Sequence, residues 1–231
     1  MTNVDSCIGG GYNAPMRRKL HVIMSVPDLP SGFTELEYMQ SSGTQYFALP
    51  MRWETHTGLG VKGGFISYDS MFFGGEASPS YIRCGSYPWS STSNVVFRNT
   101  DSSLYAKFDY GTIIYGTLNF LDDGLITIND ATTAYRPSAK DANIAMFGIM
   151  DYLQRQSDGS YKPVNTDPCR LYFLKISNYS TIERAFIPVL DADSVPCLYD
   201  KVTRQCFYNA GTGKFGYKIK ATGEVVAPVS G

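Results

Sequence analysis

Apolar residues in this chain alternate with polar ones far more often than they recur at helical spacing. The clearest run is Arg170-Leu-Tyr-Phe-Leu-Lys-Ile-Ser177, with Leu171 and Phe173 on one face and Tyr172, Leu174 and Ile176 on the other. Apolar positions on both faces predict a strand covered on both sides. Asn178-Tyr-Ser-Thr181 has turn chemistry, because short polar side chains bond their own backbone. Ile182–Ile187 then returns as a second strand, expected to stop at Pro188, which cannot donate to a ladder. Beyond the loop Asp191-Ala-Asp-Ser194, Cys197–Tyr199 and Cys206–Tyr208 read as short strands, and Asn209-Ala-Gly-Thr-Gly213 as a tight turn.

The same alternation runs through the rest of the chain. Phe33, Leu36 and Tyr38 are spaced for a strand edge, Ser41-Ser-Gly43 for a turn, and Gln45–Leu49 for a strand ending at Pro50. Further strands are predicted over Gly60–Tyr68, Ser70–Gly75, Tyr81–Cys84, Asn94–Arg98, Tyr110–Tyr115, Thr117–Leu121 and Leu125–Ile128, with Asp122-Asp-Gly124 as a hairpin turn. Asn143–Met150 is apolar on both faces and reads as a central strand, whereas Gln154–Asp167 reads as a polar surface loop. No segment sustains a 3.6-residue apolar period over three turns, and no internal repeat is visible. The reading is all-β.

Composition agrees. Aromatics make up 14% of the 231 residues, 17 of them Tyr, which suits pleated surfaces better than helix packing. A chain of this length buries roughly 70% of the surface its unfolded form exposes, so it needs no covalent staple. With 20 basic and 21 acidic residues there is no basic block for phosphates, and no nucleic-acid partner is expected. No apolar run reaches the roughly 18 residues of a membrane span, so no membrane insertion is expected. The five cysteines (7, 84, 169, 197, 206) include no CxxC pair and stand far from the only histidines, His21 and His56. Buried free thiols are one reading of them, and a disulfide such as Cys197–Cys206 across a hairpin is the sharper alternative.

Residues 1–28 stand apart. They are polar up to Gly9-Gly-Gly11, and their apolar part, Leu20–Val26, is too short and too internal for a secretion signal. Two readings are a loose tail and an arm that adds as a strand to a neighbouring subunit.

The phrase LPSGFTELEYMQSSGTQYF (Leu29–Phe47) resembles the opening of a concanavalin A-like, laminin G-like jelly-roll module of gut bacterial surface proteins and their phages. The closing run LYFLKISNYSTIERAFIPVLDADSVPCLYDKVTRQCFYNAGTGKF is similar to that family's last strands. The resemblance covers about Leu29–Tyr217 and departs at Ala48-Leu-Pro50, where the family usually has Asp-Thr-Gly. It implies a two-sheet antiparallel β-sandwich, jelly-roll in kind, over residues 29–217, with an extended N-terminal arm (1–28) and a C-terminal tail (218–231). It implies no activity.

Candidate chemistry is thin. His56 lies in the turn-like Glu54–Gly58 and reads as a solvated loop residue. Glu35 and Glu37 share a face, but no Glu-x-Asp-x-x-Glu strand for glycoside hydrolysis exists, and the two read as a solvated edge. Asp191/Asp193 and Asp122/Asp123 supply too few carboxylates for calcium. No catalytic residue, metal site or cofactor is assigned. Tyr87, Pro88 and Trp89, with Trp53, form the best patch for stacking on a glycan, though such aromatics also cap sandwich ends.

The expectation is therefore a non-enzymatic phage virion protein, an auxiliary capsid, head-fibre or tail component. Residues 1–28 would contact other virion proteins, and a homo-oligomer is expected. The absence of an export signal, the unmatched arm and free thiols suited to a reducing cytoplasm motivate it. The alternative is a carbohydrate-binding module at a bacterial cell surface, recognising host-surface glycan through Trp89, Tyr87 and Trp53.

Overall fold

A computed structural model describes residues 29–51, 57–66, 71–77, 80–87, 94–99, 103–107, 113–118, 125–128, 131–134, 144–164, 168–178 and 181–231. These contain nineteen strands and no helix, in two sheets. The larger sheet has eleven strands: β1 (Thr34–Gln40), β3 (Thr57–Phe65), β8 (Ile113–Leu118), β9 (Leu125–Ile128), β10 (Ala131–Ala134), β14 (Cys169–Asn178), β15 (Thr181–Leu190), β16 (Pro196–Asp200), β17 (Gln205–Phe207), β18 (Gly216–Ile219) and β19 (Val225–Val226). The smaller has eight: β2 (Phe47–Pro50), β4 (Met71–Ala77), β5 (Ser80–Tyr87), β6 (Asn94–Asn99), β7 (Ser103–Lys107), β11 (Met146–Ile149), β12 (Leu153–Arg155) and β13 (Tyr161–Pro163). Pairing is antiparallel except between β12 and β4, which run parallel.

One apolar core draws on both sheets. Leu36, Met39, Val61, Leu171, Leu174, Ile176, Phe186 and Leu198 come from the larger, and Phe47, Leu49, Phe72, Phe73, Phe147 and Ile149 from the smaller. The β11 strand pairs with β2 on one side and β4 on the other, so the run apolar on both faces is central, as its pattern predicts.

In β14 the simple alternation fails at one point. Leu171 pairs with Gly63 and Phe173 with Lys62, so Tyr172 is an extra residue on the β14 side. This bulge flips the facing of the residues after it, and Leu171, Leu174 and Ile176 all point into the core. A strict period of two places Leu171 opposite Leu174, and the bulge overrides it.

Pro188 does not end its strand. β15 runs on to Leu190, pairing with β14 as far as Phe186 and with β1 from Val189. Pro188 lies at the changeover, where its missing N–H interrupts neither ladder. The expected loop 154–167 likewise contains the hairpin β12–β13, turned by Gly159 at φ +84° and by Asp158, whose carboxylate accepts from the Ser160 amide and hydroxyl. The two strands read over 110–121 are a single one, β8, because Gly116 holds its place opposite Val61. Residues 122–124 lie outside the described set.

The segment beyond Tyr217 belongs to the same sheet. β18 pairs with β1 from Leu36 to Gln40, and β19 with β18. Glu35 and Glu37 are therefore not on a free edge: their carboxylates meet Lys220 at 2.9 Å and Lys218 at 2.6 Å across that pairing.

The opening and closing phrases dock on each other. Phe47 stacks on Phe215, with ring centroids 4.7 Å apart and planes 11° from parallel. Ala210 N donates to Tyr46 O and Thr212 N to Thr44 O. The buried Gln45 carboxamide ties the junction to the C-terminal segment, its Nε2 reaching Thr212 O at 3.0 Å and Val229 O at 2.9 Å.

Candidate functional site

The described polar chemistry gathers where β15, β16 and β17 end. Asp191 follows β15, and its Oδ1 accepts from the amides of Asp193 (3.0 Å) and Val195 (2.9 Å), which folds the 191–195 loop. Its Oδ2 accepts from the Tyr208 hydroxyl at 2.9 Å. The Val195 amide, with Tyr208 and Asp193, holds the Asp191 carboxyl below the ordinary range against the opposing effect of burial. The same bond from the other end, with burial, pushes the Tyr208 phenol up. The pair is locked as carboxylate and phenol at neutral pH.

Above this lock lies a cleft of about 340 Å³, lined by Ser194, Val195, Pro196, Tyr208, Asn209, Gly213, Lys214 and Phe215. Its walls are apolar: Val195 is 44% and Tyr208 50% exposed, while Phe215 is buried beneath. Ser194 sits at φ +62°, a conformation uncommon for a residue with a side chain. Asn209 serves the scaffold, accepting from the amides of Gly211 (2.9 Å) and Tyr46 (3.3 Å). The cleft is at the low end of small-ligand sites, which run from about 300 to 1,000 Å³.

Tyr208→Phe is expected to cost about 0.5–1 kcal/mol, since it removes one charge-assisted bond at a half-exposed site. Urea unfolding would show it, and a loss above about 2 kcal/mol would mean that the hydroxyl holds more than the loop.

The other buried carboxylates are equally engaged. Asp200 accepts from Ala185 N (2.9 Å), Val202 N (3.1 Å), Thr203 Oγ1 (2.6 Å) and Arg184 Nη1 (3.1 Å). Asp151 accepts from the amides of Tyr152 and Val164, and the Tyr152 hydroxyl donates to Glu76. No group of three or more His, Cys, Asp or Glu among the described residues could hold a metal ion. Asp191 and Asp193, weighed for calcium, instead build a turn.

Of the stacking residues named from the sequence, Trp53 and Trp89 lie outside the described residues, as do His21 and His56. Tyr87 is the last residue of β5, opposite Asn94. Tyr208 and Lys214 were missed as cleft residues. The available signal was an aromatic at the junction of a strand with a glycine-rich turn.

Cys169, Cys197 and Cys206 are in no disulfide, and the Cys169 sulfur lies 3.8 Å from the Ser41 hydroxyl. No protein-family model and no curated protein matches this chain.

Proposed function

We propose that this chain is a non-enzymatic structural protein of a phage particle, an auxiliary capsid, head-fibre or tail component. In this reading the two sheets are a jelly-roll β-sandwich of the concanavalin A-like kind, displayed outward, and residues 1–28 anchor it to other virion proteins. The observation that carries a scaffolding role is the fate of the carboxylates. Asp151, Asp191 and Asp200 each accept backbone amide bonds that fix a turn or strand end, which suits shape-keeping better than proton transfer. The seating of Leu29 and Phe33 on the cluster around Val189 and Tyr199 supports the anchor, because it gives the arm a fixed point of departure.

The test is particle incorporation. Deleting residues 1–28 is expected to abolish it while leaving the β-rich circular dichroism unchanged; a deletion variant that still enters particles at the full level ends the anchoring role.

A second reading, a carbohydrate-binding module of a bacterial surface protein, is favoured by the half-exposed Tyr208 ring beside Ser194 and Lys214 in the cleft. An aromatic face with polar groups at its rim suits an amphipathic sugar ring. On a glycan array, Tyr208→Ala is expected to lose signal if that cleft binds, and Trp89→Ala if the patch around Tyr87 does. A wild-type chain that binds no glycan removes this reading.

A further inference from the structure

Val189, Cys197 and Tyr199 form a small apolar cluster separate from the main core, and Leu29, Phe33, Ile187 and Cys206 pack against it. Cys197 is fully buried on β16, whereas Cys206 is partly exposed on β17. The two strands are antiparallel neighbours, with Tyr199 directly opposite Cys206. Cys197 lies two residues along β16 from Tyr199 and shares its face. The thiols therefore stand on one diagonal of the ladder, and Cys206 packs against the small cluster that holds Cys197.

Diagonal neighbours in a sheet lie about 7–8 Å apart between backbones, and a disulfide spans up to roughly 7 Å, so a small approach closes the bond. β17 can supply it. Among the described residues the strand ends the sheet path and pairs with β16 alone, so it can shift without breaking a second ladder.

We propose that Cys197 and Cys206 are a reversible cross-strand dithiol, which a low-molecular-weight disulfide oxidises and which then staples β17 to β16 beneath Phe33. The inference stands on the fold alone and does not depend on the particle reading. In the first step the Cys206 thiolate attacks one sulfur of the external disulfide RSSR and expels RS⁻, leaving a mixed disulfide on Cys206. In the second, Cys197 releases its proton to solvent, attacks the Cys206 sulfur and expels the other RS⁻. In sum, the protein gives up two electrons and two protons, and RSSR becomes two RSH.

The order of attack follows from exposure. Burial, and then the neighbouring Cys206, push the Cys197 thiol well above its ordinary range, so it does not react alone. Held beside the mixed disulfide, it reacts as an intramolecular partner. A glutathione-buffered cytoplasm keeps the pair reduced, and an oxidising exterior closes it.

Trypsin reads the result directly, because Arg184, Lys201, Arg204 and Lys214 place the two cysteines in separate peptides, 185–201 and 205–214. The full-length folded chain is incubated with oxidised glutathione, alkylated and digested without reductant. The dominant cross-linked product is expected to join 185–201 to 205–214, with two alkylatable thiols lost. Cys206→Ser should abolish this product. Cys197→Ser, checked for native circular dichroism, should stop at a glutathione adduct on Cys206. Thermal melting should drop when dithiothreitol reopens the bond. A persistent glutathione adduct on wild-type Cys206, or a preferred linkage through Cys7, Cys84 or Cys169, overturns the pairing. A Tm indifferent to reduction overturns the staple.

Discussion

Asp200→Ala is expected to cost about 3–5 kcal/mol, a large part of the 5–15 kcal/mol that typically holds a domain folded. The side chain is fully buried, and four donors converge on it from three directions. Ala185 lies across the ladder on β15, Val202 and Thr203 belong to the turn that follows β16, and Arg184 closes the group. Truncation leaves two amides and a hydroxyl without their acceptor in part-buried positions, each a penalty of at most about 1–3 kcal/mol before relaxation. The Arg184 guanidinium, about a third exposed, can turn to water, so the ion pair itself contributes little of the loss. Asp200→Asn keeps an acceptor for the amides and should recover roughly half of the cost. Urea midpoints at pH 7 measure both. Equal losses for Asn and Ala would show that the charge, and not the hydrogen-bond geometry, does the holding.

The same residue sets an acid limb. Burial pushes the Asp200 carboxyl up, but the bonds from Ala185, Thr203, Val202 and Arg184 outweigh it and hold it below its ordinary value. A carboxyl that binds its proton less readily when folded adds stability above the unfolded value, about 3.9. That stability fades as pH falls through the lower folded value. The wild-type urea midpoint should therefore decline below about pH 4, and Asp200→Asn should flatten the decline. Asp191, depressed in the same direction, leaves a residual slope.

Much of the strand pattern was legible in the sequence, because a period of two needs only the order of apolar and polar residues. Leu125–Ile128 is found where the alternation puts it, and the runs read over 170–177 and 182–187 lie within β14 and β15, the second of which continues past Pro188. What the period could not carry was pairing. Pro188 looks like a stop until β15 is seen to exchange β14 for β1 at that residue. Tyr172 looks like one face of a regular strand until the consecutive Gly63 and Lys62 are seen to pair with Leu171 and Phe173, which makes it the extra residue of a bulge. Glu35 and Glu37 look like a free edge until β18 pairs with β1, and Lys218 on it and Lys220 just beyond it reach the two carboxylates. Asp200, the last residue of β16, gives no local sign of burial. Its partners come from β15 and from the next turn, so only the folded hairpin identifies it as structural. The cleft was hidden for the same reason, since Ser194 and Val195 meet Tyr208 and Lys214 only after β16 and β17 have paired.

The glycines of the closing segment permit a sharper comparison. Gly213 and Gly223 both adopt positive φ, +71° and +75°, so alanine meets the same backbone penalty at each, about 1–2 kcal/mol. Their surroundings differ. A Cβ at Gly223 meets nothing within 4 Å, whereas one at Gly213 would fall 2.1 Å from Val229 O and 2.6 Å from both Gln45 Nε2 and Gly231 N. Two of those atoms belong to the C-terminal segment, so alanine at 213 must displace it. That movement breaks the paired bonds between Lys214 and Val229, at 2.8 and 2.9 Å, and takes Val229 O away from the buried Gln45 amide. Gly223→Ala should therefore lose about 1 kcal/mol and Gly213→Ala about 3–4 kcal/mol. Hydrogen exchange at the Lys214 and Val229 amides should quicken in Gly213→Ala alone. If the two variants lose equal stability, the clash at 213 is absorbed without cost, and residues 225–231 are dispensable to the fold they close.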